Sequence, residues 1–277
     1  MRKAMIILGI LIVGMLIPAG FSTSDSQVVI TYGETTYNNA DYKNTVDNFF
    51  KNQAGIDSKS VDSKIISASE VNKIASTITG KTYSSSQIFS SALVDLSEND
   101  NLEVSVDKSK ITTITGDMYL SSLKSAGITA GHVYVTSPVS ATGESALAGI
   151  MNSYEEATDV EIPDTVKEAA NNEIYTQAEI VKNSNVEPEK LSKMVDDVKE
   201  EVQTNNVTDH QTIVNIINNH TVINNINITN SDIENLASSI EQIQNVQGDI
   251  NSYQSEVSDV FNNTTNPAPG LFDGLFN

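Results

Sequence analysis

The chain offers few groups for ligation or proton transfer: three histidines, no cysteine, and carboxylates that cluster in two places. A two-histidine zinc site would have to join His210 and His220, ten residues apart in an Asn-rich stretch. They lack the i, i+4 spacing that puts two imidazoles on one helical face, so solvated or half-buried rings are expected there and at His132. Gly143-Glu144-Ser145-Ala146-Leu147 has the outline of a nucleophile elbow but not its final Gly. No Asp/His pairing is evident for Ser145, which reads as a first-turn helix residue. No residue is therefore assigned a catalytic or cofactor-binding role.

Calcium chemistry has two candidate locations. Asp95, Ser97, Asn99 and Asn101 alternate as in an EF-hand loop, but Asp100 stands at the Gly position and Val106 at the bidentate Glu position. What survives is a weak divalent-cation site built from Asp95, Asp100 and Glu103. The second cluster is Glu155, Glu156, Asp159, Glu161 and Asp164, in which Glu155 and Asp159 have i, i+4 spacing. Such a cluster holds an ion, or supplies the acid/base pair of glycoside hydrolysis, or is simply a solvated helix end. Few aromatics accompany it for sugar stacking. The turn from Ser137 to Gly143 presents free N–H groups to an anion, but it has no P-loop Lys, and Glu144 opposes negative charge. Asn206, Asn219, Asn227, Asn262 and Asn263 each head an Asn-x-Ser/Thr triplet, so all candidate N-glycosylation acceptors lie beyond residue 205.

The N-terminus sets the compartment. Arg2 and Lys3 precede an apolar run from Ala4 to Ile17, then Pro18, Ala19, Gly20 and a Ser/Thr-rich stretch. This is the layout of a secretory signal with a cleavable end. The rival reading is an uncleaved anchor, opposed by Pro18 within a run short for a span. The absence of Cys after the apolar run excludes a lipoprotein anchor.

Net charge is −20, from 16 Lys and Arg against 36 Asp and Glu, which excludes nucleic acid and anionic headgroups as natural partners. The imbalance is local. Every Lys and Arg lies at or before Lys199, whereas residues 200–277 hold ten acids. Trp is absent, which counts against a base-stacking platform.

The elements that must position these groups are legible in part. Gln27 to Tyr32 has strand composition, and Val46, Phe49 and Phe50 recur at helical spacing until Gly55. Ser67 and Glu70 have capping-box spacing ahead of a helix to about Thr79. Ile88 to Leu96 and Leu102 to Val106 predict two strands in a hairpin-like connection. Met118, Leu120 and Leu123 predict a helix closed by Gly127, His132 to Thr136 a strand, and Ala146, Leu147, Ile150, Met151 and Tyr154 an amphipathic helix.

Beyond 185 the pattern is helical. Pro188 opens a helix to about Thr204, and a short helix carries Ile213, Ile216 and Ile217, after which the Asn-rich run to Asn230 is expected to be extended. Ile216-Ile217-Asn218-Asn219 is echoed by Val222-Ile223-Asn224-Asn225, read as turn chemistry. A last helix, capped by Ser231 and Glu234, has its seam at Ile233, Leu236, Ile240, Ile243, Gln247, Ile250, Gln254, Val257 and Phe261, two of them polar, with Gly248 marking a bend. Self-pairing would gather acids without a cation, so the seam is expected to fold back on the helices at 187–219 of a monomer. Ser239, one position off the seam, is expected to tolerate Asp.

Three segments together resemble a known family. Ser122 to Ile128, Val133 to Pro138 and Gly143 to Glu155, with Ser90-Ser91-Ala92 upstream, are similar to the signature of domain of unknown function 1002, a family of secreted or surface proteins of Gram-positive bacteria and some archaea. Glu144 replaces the Thr usual after the Gly. The resemblance implies an exported α+β protein and assigns no activity.

The expected organisation is a signal peptide over 1–24, a mixed α/β body over 25–184, an all-helical arm over 185–261 and a disordered tail over 262–277, an α+β protein overall. The expected role is non-enzymatic binding of an envelope component or protein partner outside the cell, with no membrane association after cleavage. Any cofactor is limited to a weakly held divalent cation. The alternative is a hydrolase or cation-dependent enzyme using the cluster at 155–164.

Overall fold

A computed structural model describes residues 27–80, 82–97 and 101–265. Its centre is a five-stranded mixed sheet in the order β2-β1-β3-β5-β4. The strands are β1 (Val28–Gly33), β2 (Asp62–Ile66), β3 (Ser91–Asp95), β4 (Leu102–Val106) and β5 (Gly131–Thr136). The predicted hairpin between β3 and β4 does not form. β5 inserts between them, antiparallel to β3 and parallel to β4. A parallel neighbour needs a crossover, and α4 (Gly116–Ser125) provides it for β4 and β5, as α1 (Glu34–Tyr37) and α2 (Ala40–Ala54) do for β1 and β2.

Alternation along the strands sorts side chains onto two faces. Ile30, Tyr32 and Leu93 pack with Val46 and Phe50 of α2 on one face. Ala92, Val94, Val133 and Val135 join the larger core on the other, where α5 (Ser145–Thr158) lies across the sheet. Gly149 permits the close approach: a Cβ there would stand 3.1 Å from Thr31 Cγ2. One turn later Ser153 Oγ and Thr31 Oγ1 share a buried hydrogen bond of 2.6 Å.

Capping chemistry places the helix starts. Ser67 and Glu70 form the predicted box at α3 (Ala68–Thr79), with Glu70 Oε2 accepting from Ser67 N at 2.9 Å. Asn39 caps α2, and Thr115 accepts from Met118 N at the start of α4.

The strongest departure from the sequence reading is α6 (Asp164–Asn183), a 20-residue helix that the reading does not identify, although Val166, Ala170, Ile174 and Ala178 recur every four residues. Its buried positions also include the polar Asn171, Glu173 and Gln177, which widen the buried face beyond that stripe. α6 packs against α3, α4, α5, α7 (Pro188–Thr204), α9 (Asn230–Asn245) and α10 (Gln247–Thr265).

The Asn-rich segment is also more helical than expected. α8 runs from His210 to Ile223, so the echoed pairs lie on one helix, with Ile216 and Ile217 buried and Val222 and Ile223 exposed. The cap of α9 is not Ser231 with Glu234 but Thr229 with Asp232, whose side chains and backbone reciprocate. The single last helix is two, broken at Val246 rather than bent at Gly248.

The seam divides accordingly. Ile233, Leu236 and Ile240 pack with Leu191, Val198, Ile213 and Ile217 of α7 and α8, whereas Ile243, Ile250 and Val257 join the core of the sheet and its helices. α10 continues to Thr265, so Asn262 and Asn263 are helical; residues 266–277, including both Gly-Leu-Phe repeats, lie outside the described residues.

Candidate functional site

A cleft of about 360 Å³ opens where the β2 edge of the sheet meets α3, α5 and α6. Its apolar lining is Ile65, Ile66, Ile74 and Ala148, and its polar lining includes Lys64, Lys73 and Lys167 opposite Glu70, Glu155, Asp164 and Glu168. Backbone geometry assembles this set. α5 stops at Asp159, which adopts the left-handed conformation at φ 54, and the returning chain is tied down by Ile162 N donating to Glu155 Oε1 at 2.9 Å. That turn places the first two turns of α6 beside the last two of α5.

Lys167 Nζ then reaches both Glu155 Oε1 at 3.0 Å and Asp164 Oδ1 at 3.2 Å. Burial of the ammonium works against its charge, but Glu155 and Asp164 together outweigh it and hold the Lys167 pKa above its ordinary value. Lys73 Nζ donates to Asp164 Oδ2 at 2.9 Å, and Lys73 first, then Lys167, keeps the Asp164 carboxyl below the usual range. Lys64 pairs with Glu156 at the rim. Glu70 is engaged in the α3 cap and lies 3.4 Å from Asn152 Nδ2. Glu168 also lines the cleft, and among the described residues it has no ion pair or hydrogen bond.

Of the five acids from 155 to 164, the fold brings only Glu155 and Asp164 into this cleft. Asp159 and Glu161 are exposed outside it. The three lysines, distributed over 64, 73 and 167, carry no local motif in the sequence.

The calcium candidates do not converge. Asp95 ends β3, where its Oδ1 accepts from Ser97 N at 2.8 Å and Ser97 Oγ at 2.5 Å. Glu103 is on β4, separated from β3 by β5. Asp100 lies outside the described residues. Between the two strands His132 is in register with both Asp95 and Glu103, and its Nε2 lies 2.5 Å from Glu103 Oε2. Among the described residues no three His, Asp or Glu side chains are arranged to hold a metal ion.

His210 and His220 both belong to α8 and point to different neighbours. His210 contacts Glu234 and Glu241 of α9, and His220 contacts Glu201 of α7. Ser145 lies in the first turn of α5, as read from the sequence. Asn206, with φ 52, and Asn227 lie in exposed connections, whereas Asn219 is exposed on α8 and its Thr221 is buried.

Several residues of the resemblance segments have structural duties. Tyr154 OH donates to Ala130 O at 2.6 Å, and Tyr119 OH to Gly143 O at 2.5 Å. Ser91 Oγ accepts from Gly33 N at 3.2 Å.

Comparison with known proteins agrees in extent and adds no activity. A family model described as protein of unknown function (DUF1002) matches residues 32–260. A relative, the uncharacterized protein YpuA of Bacillus subtilis (strain 168), is 31% identical over 162 residues, which are 57% of this chain and 55% of that protein. The chain thus spans about half the length of the curated relative it matches. No solved structure matches the chain.

Proposed function

From the premise that the chain belongs to this family of unknown function, we propose that it is an exported, non-enzymatic binding protein whose ligand seat is the cleft between β2, α3, α5 and α6. The observation that carries the reading is the opposition of Lys73 and Lys167 to Glu168, which has no ion pair among the described residues, over an apolar floor. Lys73 is 67% exposed and so is free to exchange Asp164 for an incoming anion at little cost. A ligand offering an ammonium to Glu168 and a carboxylate to Lys73 satisfies both ends, which is the chemistry of a zwitterionic peptide or amino acid. An envelope component bearing such groups is the expected natural partner, met by a monomer.

The same arrangement makes Asp164 a poor proton donor, because Lys73 and Lys167 hold its carboxyl below the usual range. Export rests on the N-terminal signal pattern in residues 1–24. No helix among the described residues is long and apolar enough to cross a membrane.

The test is calorimetric titration with a zwitterionic dipeptide and with the same dipeptide acetylated and amidated. Saturable binding of the first, lost on capping and weakened in Lys73→Gln and Glu168→Gln, supports the reading. Equal behaviour of free and capped dipeptides would remove it.

A further inference from the structure

The arm contains a chemical asymmetry that the cleft does not involve. Residues 200–277 carry ten carboxylates and no Lys or Arg, so His210 and His220 are the only side chains there able to become cationic. The fold uses both at helix contacts. His210 Nε2 lies 2.8 Å from Glu234 Oε2 and its Nδ1 lies 2.9 Å from Glu241 Oε2, both on α9. His220 Nε2 lies 2.8 Å from Glu201 Oε2 on α7.

The His210 geometry specifies a protonation state. A neutral imidazole has one N–H and one lone pair, so it donates to a single carboxylate and turns a lone pair toward the other. Only the imidazolium donates from both nitrogens. The carboxylates lie on opposite sides of the ring, so one metal ion bound to either nitrogen could not take both as ligands.

We propose that the arm carries a proton-operated clasp, in which protonated His210 fastens α8 to α9 through Glu234 and Glu241. The groups facing these rings are few. α7 brings Lys199, Glu200 and Glu201 in its last turns, α9 brings Asp232, Glu234 and Glu241, and α8 itself has only Asp209 at its cap. Lys199 is committed to Glu173 of α6 and its neighbours. Loss of the His210 proton therefore leaves Glu234 and Glu241 without a cation at the α8 contact.

The sign follows from linkage. Glu234 foremost, then Glu241, raises the His210 pKa above its ordinary value. The stabilisation is therefore complete below the unfolded-state pKa and disappears as pH rises through the folded one. The arm tightens on mild acidification, until its carboxylates begin to protonate, and loosens toward alkaline pH.

The experiment is thermal melting of the full chain from about pH 5.5 to about pH 8.5, in a His132→Gln/His220→Gln background that removes the other two histidines. The melting temperature should fall across that window, and the fall should shrink by about half or more in His210→Gln. Glu234→Gln/Glu241→Gln keeps the ring and the side-chain shapes and should flatten the profile too, which protects the test if the histidine variant folds poorly. The His210 ring resonances, identified by their loss in His210→Gln, should titrate above the ordinary histidine value. An unaltered slope in both the His210→Gln and the Glu234→Gln/Glu241→Gln variants, or a His210 that titrates at or below that value, would overturn the clasp.

Discussion

Glu173 and Lys199 form an ion pair of 2.9 Å in which the carboxylate is fully buried and the ammonium is 16% exposed. The pair joins α6 to α7, and Ser121 and Ser125 of α4 complete it by donating to Glu173 at 2.7 and 2.6 Å. Three helices thus meet on one buried charge. Such a site is destabilising when half of it is removed, because the remaining charge stays desolvated.

Lys199→Met should therefore cost about 3–5 kcal/mol of unfolding free energy, measured by urea denaturation. Pairing it with Glu173→Gln should recover much of that loss, because the amide retains the serine contacts without a buried charge. A single variant as stable as the native chain would show that the pair is not closed in solution.

Ile240→Asp should place a carboxylate in the core shared by α7, α8 and α9 and cost several kcal/mol. The sequence reading expects Ser239→Asp to be silent. The structure reverses that expectation, because Ser239 is fully buried with its hydroxyl donating to Leu236 O at 2.9 Å. Both variants should lower the circular-dichroism melt, with gel filtration unchanged for whatever fraction remains folded.

Gly143→Ala should destabilise by more than about 1 kcal/mol. The residue has φ +110, and a Cβ would stand 2.8 Å from both Ile111 Cγ2 and Tyr119 OH. Alanine at Gly248, where no atom lies within 4 Å of the added carbon, should stabilise α10 slightly. Comparing the two melts separates backbone strain from the loss of a glycine as such.

Neutralising repulsion among the ten acids of residues 200–277 should raise the melt in both sodium and calcium chloride. A rise specific to calcium at matched ionic strength would show carboxylates sharing an ion, and an equal rise would leave only screening.

Processing is expected between Gly20 and Ser26. Intact mass of the secreted chain reads this directly, and a membrane fraction retaining Met1 would contradict it.

Local chemistry made parts of this protein legible in its sequence. The Ser67/Glu70 box, the Gly127 stop after α4 and the apolar stripe of α5 each need only neighbouring residues, and each stands where it was read. The α+β class and the family signature were likewise readable, because strand and helix periods alternate along the first half of the chain.

What the sequence could not decide depends on partners distant along it. β3 and β4 look like a hairpin because only five residues separate Leu96 from Leu102, but β5 offers both strands a partner, which a local turn signal cannot report. α6 buries Glu173, Gln177 and Asn171, which a local reading takes for an exposed face, and their partners are mostly distant: Ser121, Ser125 and Lys199 donate to Glu173, Asn171 donates to the Lys167 carbonyl, and Gln177 Nε2 donates to Glu173. The cleft has the same origin. Lys64, Lys73 and Lys167 share no spacing, and tertiary packing alone sets their ammonium groups against Glu155, Asp164 and Glu168. The histidines complete the contrast: their number and the absence of other cations after Lys199 were plain in the sequence, whereas the two carboxylates on one imidazole required α8 and α9 to be folded together.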